Sequence, residues 1–169
     1  MVDQIGVVLD EATRRAAGAA LARIPSSIYL MTAAHGRVSS GVLVSLVQQV
    51  AFEPPMVMVA LAKGRFIVPV LHNAHCFALN EVAADDRVLL RRFSQRVDDE
   101  DPLASYRLAD SVTGAPVLER AVSYLDCELI RHVDIESDHD VYVGLIRGAG
   151  VRDAAPAARP RLRDSGFEY

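Results

Sequence analysis

The run from Ser39 to Leu61 constrains the fold of this chain more than any other segment. Its apolar residues are nearly continuous, as in buried β-strands, and a Glu-Pro-Pro turn at Glu53 divides the run into two parts. The first part nevertheless contains Ser45, Gln48 and Gln49. Polar side chains in a buried strand cost free energy unless they are hydrogen-bonded. A flat heterocyclic ligand with ring nitrogens, carbonyls and a hydroxylated tail would supply the missing partners.

The length and composition favour one domain with a substantial core. A compact domain of this length buries roughly 70% of its unfolded surface, so residues 1–169 are expected to form a single domain. Apolar residues make up 51% of the chain, yet no run approaches the ~20 residues of a membrane helix, and the N-terminus has no signal-peptide pattern. We therefore expect a cytoplasmic protein with no membrane segment, whose excess apolar surface is buried in an oligomer.

Charge and cysteine content argue against several other classes. The net charge of -4, with dispersed basic residues, gives no electrostatic footprint for nucleic acid. Cys76 and Cys127 are far apart and each lies in an apolar run, which favours reduced structural thiols over a disulfide. His72 and His75 have a spacing that fits a metal, but no third ligand is evident, and exposed histidines at a helix end are commoner. No metal site is therefore predicted.

The apolar periodicity predicts strands with single helices between them. A helix capped by Asp10 is expected to end near Ala22, and a later helix is expected to bury Val88, Leu89 and Phe93 on one face. This succession fits a closed antiparallel barrel with peripheral helices, and no Gly-x-Gly-x-x-Gly turn supports a doubly wound sheet. The remaining expected elements are helices at 66–73 and 84–95, strands at 28–33, 39–51, 56–61, 76–82, 121–132 and 140–149, and an acidic loop at 97–101.

Taken in order, these segments resemble the flavin reductase-like FMN-binding split-barrel family. The two apolar strands and their Pro-Pro turn are followed, in the family's order and spacing, by HCFALNEV, LLRRFS, GAPVLERAVSYLDCEL, SDHDVYVGLI and DSGFEY. The resemblance covers nearly the whole chain from about Leu21, and VQQVAFEPPMVMVALAKGR looks closest to flavoredoxin-type carriers and to reductase domains associated with diiron flavoproteins. It implies a mainly β fold with peripheral helices, an antiparallel split β-barrel of the FMN-binding type.

The resemblance places the flavin along the strand that precedes the Pro-Pro turn. Leu43, Val44 and Ser45 would present backbone groups to the edge of the flavin ring. Gln48 and Gln49 would reach toward the ribityl chain and phosphate, where the family commonly has Ser, Thr or Cys. The alternative is that Ser45 hydrogen-bonds within the sheet and that the glutamines face water at a strand edge.

The resemblance also assigns the flavin phosphate to the loop after the second strand. A phosphate needs cationic or backbone N–H donors, and Lys63, Gly64 and Arg65 match the family position in place and type. The alternative is an ordinary exposed loop. Asn80, which also matches a family position, is expected to serve packing or sheet hydrogen bonding.

His139 is the one residue for which the resemblance implies a catalytic role. It lies in the turn Ser137-Asp138-His139-Asp140, where the family often shows Gly-Asp-His at the mouth of the flavin pocket, and would position the nicotinamide. The alternative is a structural histidine bonded to Asp138 or Asp140. Tyr169 ends a tail that resembles the closing segment of the family, which packs near the flavin or the partner subunit.

These assignments together imply an oxidoreductase of the NAD(P)H:FMN reductase type. FMN is the expected cofactor, with FAD possible, and NAD(P)H is the substrate that supplies the hydride. Electrons would pass to free flavin, for a monooxygenase, or to a redox-protein acceptor. A homodimer with FMN near the interface is expected. The alternative is a non-catalytic FMN-binding or structural dimeric protein with the same barrel, and the sequence does not distinguish NADH from NADPH.

Overall fold

The computed structural model describes residues 9–94 and 101–152. Within these two ranges, no helix is long and apolar enough to cross a bilayer. Among these residues strands are the main element; one helix precedes the first strand and two helices lie between strands. In chain order the elements are α1 (Glu11–Leu21), β1 (Tyr29–His35), β2 (Val38–Val44), β3 (Val47–Phe52), β4 (Pro55–Ala62), α2 (Ile67–Ala74), β5 (Cys76–Glu81), α3 (Arg87–Ser94), β6 (Leu108–Ala109), β7 (Val117–Leu118), β8 (Ser123–Asp134) and β9 (His139–Val151).

Helix α1 begins after Asp10, as predicted. Asp10 Oδ1 accepts a hydrogen bond from Thr13 N at 2.7 Å, which satisfies one of the N–H groups that the first turn leaves unpaired. The same hydrogen bond lowers the pKa of Asp10. No residue of α1 is buried, so the helix adds no side chain to the core.

Seven strands form one antiparallel sheet in the order β2-β1-β5-β8-β9-β4-β3. Its edge strands, β2 and β3, are consecutive in the chain and are separated only by Ser45 and Leu46. The chain from Val44 to Val47 spans at most ~11 Å, whereas seven flat strands at a spacing of ~4.8 Å would place the edges ~29 Å apart. The sheet must therefore curl until its edges approach each other. This arrangement confirms the predicted mainly β, antiparallel fold.

Two sequence predictions about individual elements are wrong. The run at 39–51, expected to be one strand, forms two, because the chain leaves the ladder with β1 and then joins the ladder with β4. Val88, expected on the buried face of α3, is 71% exposed, whereas Leu89 and Phe93 are buried. Leu89 and Phe93 are four residues apart and share a helix face, while Val88 lies about 100° round the helix from Leu89.

Other element predictions hold to within a few residues. Helix α3 begins at Arg87 rather than at residue 84, and the predicted acidic loop at 97–101 lies outside the described residues except for Asp101. The short strands β6 and β7 pair with each other and were not predicted from the sequence. They precede β8 and belong to the segment that covers one face of the sheet.

The main core lies inside the curled sheet and is closed by α2. Gly144 of β9 is required there by close packing, because a Cβ at this position would lie 2.6 Å from Phe77 Cζ and 2.8 Å from Cys127 Cβ. Both distances are too short for real carbon contacts. The buried side chains of this core include Met31, Val57, Val59, Leu61, Ile67, Leu71, Phe77, Leu79 and Tyr142.

Asn80 has the predicted role in sheet hydrogen bonding. It is 1% exposed, and its Nδ2 donates to Thr32 Oγ1 at 3.0 Å and to Leu30 O at 3.2 Å. Its Oδ1 accepts from Leu118 N at 2.7 Å. Because a buried amide is costly when unpaired, these bonds fix β5, β1 and the β7 segment to one another.

The two cysteines are free and buried, as predicted. Burial raises the pKa of both thiols and, together with the nearby Asp126 carboxylate, raises the pKa of Cys127 to about 12. Both side chains are therefore protonated at neutral pH, which agrees with structural rather than reactive cysteines.

Candidate functional site

Three segments predicted to form the site meet at the C-terminal end of β4. Leu46 O accepts a hydrogen bond from Ala60 N at 2.9 Å, so the link between β2 and β3 lies beside β4. The last residue of β4 is paired with His139. Immediately after it, Lys63 N donates to Asp138 O at 2.9 Å. The fold therefore brings the predicted ring-edge strand, phosphate loop and nicotinamide turn to one end of the barrel.

Ser45 lies where the chain passes from one strand ladder to the other. The pairing of β2 with β1 ends at Val44, and the pairing of β3 with β4 begins at Val47, so Ser45 has no partner residue in either ladder. The residue is buried, at 7% exposure. Val44 packs in the main core, and Leu43 packs against a second apolar cluster. The contact of the backbone groups of Leu43, Val44 and Ser45 with a flavin edge stays a prediction.

Gln48 and Gln49 are exposed on β3 and hydrogen-bond to their own strand. Gln48 Nε2 donates to Gln49 O at 3.3 Å, and Gln49 Nε2 donates to Ala51 O at 3.2 Å. This geometry resembles the alternative in which both side chains lie at a solvated strand edge. Their contact with a ribityl chain or phosphate stays a prediction.

The loop from Lys63 to Arg65 leads directly into α2. Gly64 has a positive φ of 75°, and a Cβ there would meet no atom within 4 Å, so the loop is open. Arg65 is exposed. Phe66, the N-cap residue, gives the first turn no side-chain hydrogen bond. A cation beside a helix N-terminus without a side-chain cap is a favourable arrangement for an anion.

Lys63 has a different environment, because it contacts two carboxylates. Its Nζ lies 2.8 Å from Asp134 Oδ1 and 3.5 Å from Asp140 Oδ1. Its side chain is 30% exposed and that of Asp140 only 15%. The hydrogen bond to Asp134 raises the pKa of Lys63, and the same bond lowers the pKa of Asp134. Both partners are therefore charged over a wide pH range, and the proposed phosphate contact of Lys63 stays a prediction.

His139 is oriented by its neighbour in the turn. Its Nδ1 lies 2.9 Å from Asp138 Oδ1, and this bond to His139 lowers the pKa of Asp138. Ser137 Oγ donates to the same carboxylate oxygen at 3.2 Å. When Nδ1 donates to a carboxylate, Nε2 is the ring nitrogen that is left for a ligand. The contact with Asp138 is the one expected of a structural histidine, and the role of His139 toward a nicotinamide stays a prediction.

An aromatic and polar cluster beside this turn was missed from the sequence. The rings of His132 and Tyr142 stack with centroids 4.6 Å apart, and the ring of His72 lies 5.0 Å from that of His132. His132 Nε2 lies 3.2 Å from Asp140 Oδ2. The register of β8 on β9 pairs His132 with Tyr142, α2 adds His72, and no local sequence pattern signals this arrangement.

The cluster contains two buried polar atoms that make no hydrogen bond within the described part of the chain, Asp140 Oδ1 and Tyr142 OH. Burial and the adjacent charge of Asp140 raise the pKa of Tyr142. In residues 9–94 and 101–152, no group of three or more His, Cys, Asp or Glu side chains is arranged to hold a metal ion.

Two surface cavities lie away from the end of β4. One, of about 460 Å³, is lined by residues of the β1–β2 hairpin and of the segment after Asp101. The other, of about 420 Å³, lies between Tyr106 and Arg120. Neither is lined by a residue predicted to contact the flavin. Tyr169, the last predicted contact, lies outside the described residues.

Known proteins share both the sequence pattern and the fold. The chain is 30% identical over 135 residues to the FMN reductase (NADH) RutF of Ancylobacter novellus, an alignment that covers 78% of this chain and 74% of that protein. It is 30% identical over 152 residues to diflavin flavoprotein A 1 of Synechocystis sp., covering 89% of this chain and 26% of that protein. The chain thus spans about a quarter of the length of the diflavin flavoproteins that it matches.

Solved structures have the same architecture at low sequence identity. The NADH:FAD oxidoreductase SgcE6 of Streptomyces globisporus superposes with a TM-score of 0.73 at 20% identity, over 87% of this chain and 88% of that one. The family model described as "Flavin reductase like domain" matches residues 21–163 of this chain. With most of its length matched, this chain belongs to the flavin reductase like domain family.

Proposed function

We propose that the protein is an NAD(P)H-dependent flavin reductase, in which a hydride from the nicotinamide reduces FMN. The observation that carries this proposal is the meeting of Ser45, the loop at Lys63–Arg65 and the His139 turn at one end of β4. These are the segments expected to hold the flavin ring, its phosphate and the nicotinamide. The similarity to the FMN reductase (NADH) RutF supports both substrates, and the family match supports one domain over residues 21–163.

The residues at this end of the barrel suit FMN. The backbone of Ser45, which lies outside both ladders, offers hydrogen bonds to the polar edge of the ring. Arg65 and the N-terminus of α2 offer a cation and N–H groups to the phosphate. Bound FMN would supply the acceptor chemistry, taking a hydride at N5 from the nicotinamide C4 while the nucleotide leaves oxidised. FAD shares the ring and ribityl chain and is the alternative cofactor.

His139 is the proposed residue for the nucleotide. Its Nδ1 is held by Asp138, which leaves Nε2 as the ring nitrogen that can bind a ligand. Protein groups in such an enzyme mainly orient the two rings, because the hydride chemistry belongs to the cofactor and its substrate. His139→Ala should therefore raise the KM for NAD(P)H or slow flavin reduction, while FMN affinity changes little.

The proposed assembly is a homodimer with the flavin near the interface. Apolar side chains are exposed along the chain that follows the predicted flavin edge: Leu46 is 48% exposed, Val50 46% and Phe52 85%. A second copy would cover them, and closed two-fold pairs are the commonest assembly. The reduced flavin would then serve a monooxygenase or a redox-protein acceptor. Sedimentation of the FMN-loaded protein at micromolar concentration tests the dimer, and a monomer there would contradict it.

A direct assay tests the proposed activity. Purified protein is mixed with NADH or NADPH and with FMN, FAD or riboflavin, and the nicotinamide absorbance is followed. Oxidation of the nucleotide that depends on both flavin and protein is expected. Tight FMN binding without oxidation of either nucleotide would favour the non-catalytic alternative, and the absence of both would refute the proposal.

The His139→Ala variant has a matched control in His35→Ala. His35 is an exposed histidine at the β1–β2 hairpin, the opposite end of β1 from the site. Rapid mixing of the FMN-loaded variants with nucleotide should show a slower reduction or a weaker nucleotide dependence for His139→Ala only. Equal reduction kinetics for both variants would contradict a role of His139 toward the nucleotide and would favour the structural role.

A further inference from the structure

We propose that Lys63 is a positioning residue that clamps the β8–β9 hairpin and thereby holds His139 in place, rather than a ligand of the flavin phosphate. The hairpin is defined here as residues 134–140. This inference rests on the proposed function for the role of His139. It changes the assignment of Lys63 that the family resemblance implies, and it leaves Arg65 as the cation of the loop for the phosphate.

The contacts of Lys63 reach both sides of the hairpin. Its ammonium group lies 2.8 Å from Asp134, the last residue of β8, and 3.5 Å from Asp140, the second residue of β9. Its backbone N–H donates to Asp138 O between them, at 2.9 Å. One residue of the β4–α2 loop thus contacts the first residue, the last residue and the turn of the segment that carries His139.

The charges in the hairpin explain why a cation is needed there. Asp134, Glu136, Asp138 and Asp140 place four carboxylates within seven residues. Like charges this close repel one another, and the weakly exposed Asp140 carboxylate is the costliest to leave unpaired. Its Oδ1 makes no hydrogen bond among the described residues, so the nearby ammonium is its electrostatic partner on that side. Its Oδ2 faces His132.

The same charges make Lys63 a poor phosphate ligand. With Asp134 and Asp140 both beside the ammonium group, the net charge of the three side chains is negative. A phosphate brought to this point would face two carboxylates, whereas Arg65 lies two residues further on, exposed and beside the N-terminus of α2. An anion is favoured at Arg65 and disfavoured at Lys63.

Three variants separate the two roles. Lys63→Met removes the ammonium group but retains the backbone bond to Asp138 and the side-chain length. Asp134→Asn removes the closest carboxylate partner of Lys63 and leaves the lysine in place. Arg65→Met is the matched control. The ratio of FMN affinity to riboflavin affinity, measured by flavin fluorescence, reports the phosphate contact. We expect Arg65→Met to lower this ratio about tenfold, and the other two variants to leave it within about twofold.

The KM for NAD(P)H should show the opposite pattern among the variants. Lys63→Met and Asp134→Asn are expected to raise the KM for NAD(P)H about two- to fivefold with kcat nearly retained, and Lys63→Arg should restore it. Arg65→Met should instead raise the KM for FMN. A tenfold loss of the affinity ratio in Lys63→Met, with a gain in Asp134→Asn because Lys63 is released, would overturn the proposal and make Lys63 the phosphate ligand.

Amide hydrogen exchange of residues 134–140 in the flavin-free protein tests the clamp without any activity. Exchange should be faster in Lys63→Met and Asp134→Asn than in the parent and in Arg65→Met. Equal exchange in all four proteins would refute the clamp, even if the protein reduces flavin. Faster exchange in a protein that reduces no flavin would support the clamp and refute only the proposed function.

Discussion

The alkaline stability of the protein should depend on the thiol of Cys127. This side chain lies in the main core beside Gly144 and Phe77, and its pKa is raised from 9.0 to about 12, mainly by burial. In the unfolded chain the thiol ionises near its ordinary pKa, whereas in the native protein it keeps its proton. Between these two values the unfolded state binds fewer protons, so the free energy of unfolding falls as pH rises.

The magnitude follows from the two pKa values. At pH 7 both states are protonated and the thiol contributes no pH dependence. At pH 10 an unfolded thiol of pKa 9.0 is largely ionised while the native one is not, which lowers the free energy of unfolding by about 1.4 kcal/mol relative to pH 7. The decrease continues until the pH passes the native pKa.

The assay compares urea unfolding of the Cys76→Ala protein and the Cys76→Ala, Cys127→Ala protein at pH 7 and pH 10. Alanine does not titrate, so the cost of the Cys127→Ala change itself is the same at both pH values, and lysine and tyrosine titrations cancel between the two proteins. We expect the difference in unfolding free energy between them to shift by about 1.4 kcal/mol in favour of Cys127→Ala at pH 10. A difference that is equal at both pH values would refute the reasoning.

Two further predictions concern the core. Gly144→Ala should lower the free energy of unfolding by about 1–3 kcal/mol, because its Cβ would overlap Phe77 and Cys127, and it should cost more than Gly148→Ala, whose Cβ would meet Val112 at 3.2 Å. Guanidinium unfolding of both variants checks this order, which equal stabilities would contradict. Asn80→Ala should cost roughly 1–3 kcal/mol, since it leaves the buried N–H of Leu118 without its acceptor. An unfolding free energy of Asn80→Ala equal to that of the parent protein within error would contradict this expectation.

Local patterns were sufficient to predict most elements of the fold. Asp10 marks the start of α1, and the alternation of buried and half-buried residues in β4 follows the strand period that its sequence shows. The break at Ser45 was missed because both halves of the run are good strands by composition. The chain changes ladder there only because the sheet closes, and closure is a property of all seven strands.

The candidate site was predictable only in its separate segments. The pattern placed the loop at Lys63 and the turn at His139 after strands, and the fold brings them together through the pairing of β4 with β9. The contacts of Lys63 with Asp134 and Asp140 were not predictable, because they depend on the registers of β4, β9 and β8 at once. The family resemblance favoured a phosphate for Lys63, and only the paired strands show the carboxylates around it.

The position of β9 in the sheet has a consequence for how this chain folds during its synthesis. Strand β9, the last of the strands in the described residues, lies between β8 and β4, and among those strands it is the one that pairs β4 and β3 with the other four. The edge of β4 that pairs with β9 therefore has no partner strand when β4 leaves the ribosome. It stays unpaired until the stretch from Lys63 to Asp138 has been synthesised. At 5–20 residues per second, that wait lasts roughly 4–15 s. During this time the apolar Pro55–Ala62 strand is exposed to other nascent chains and to chaperones, and a chain that ends before β9 cannot join the two parts of the sheet.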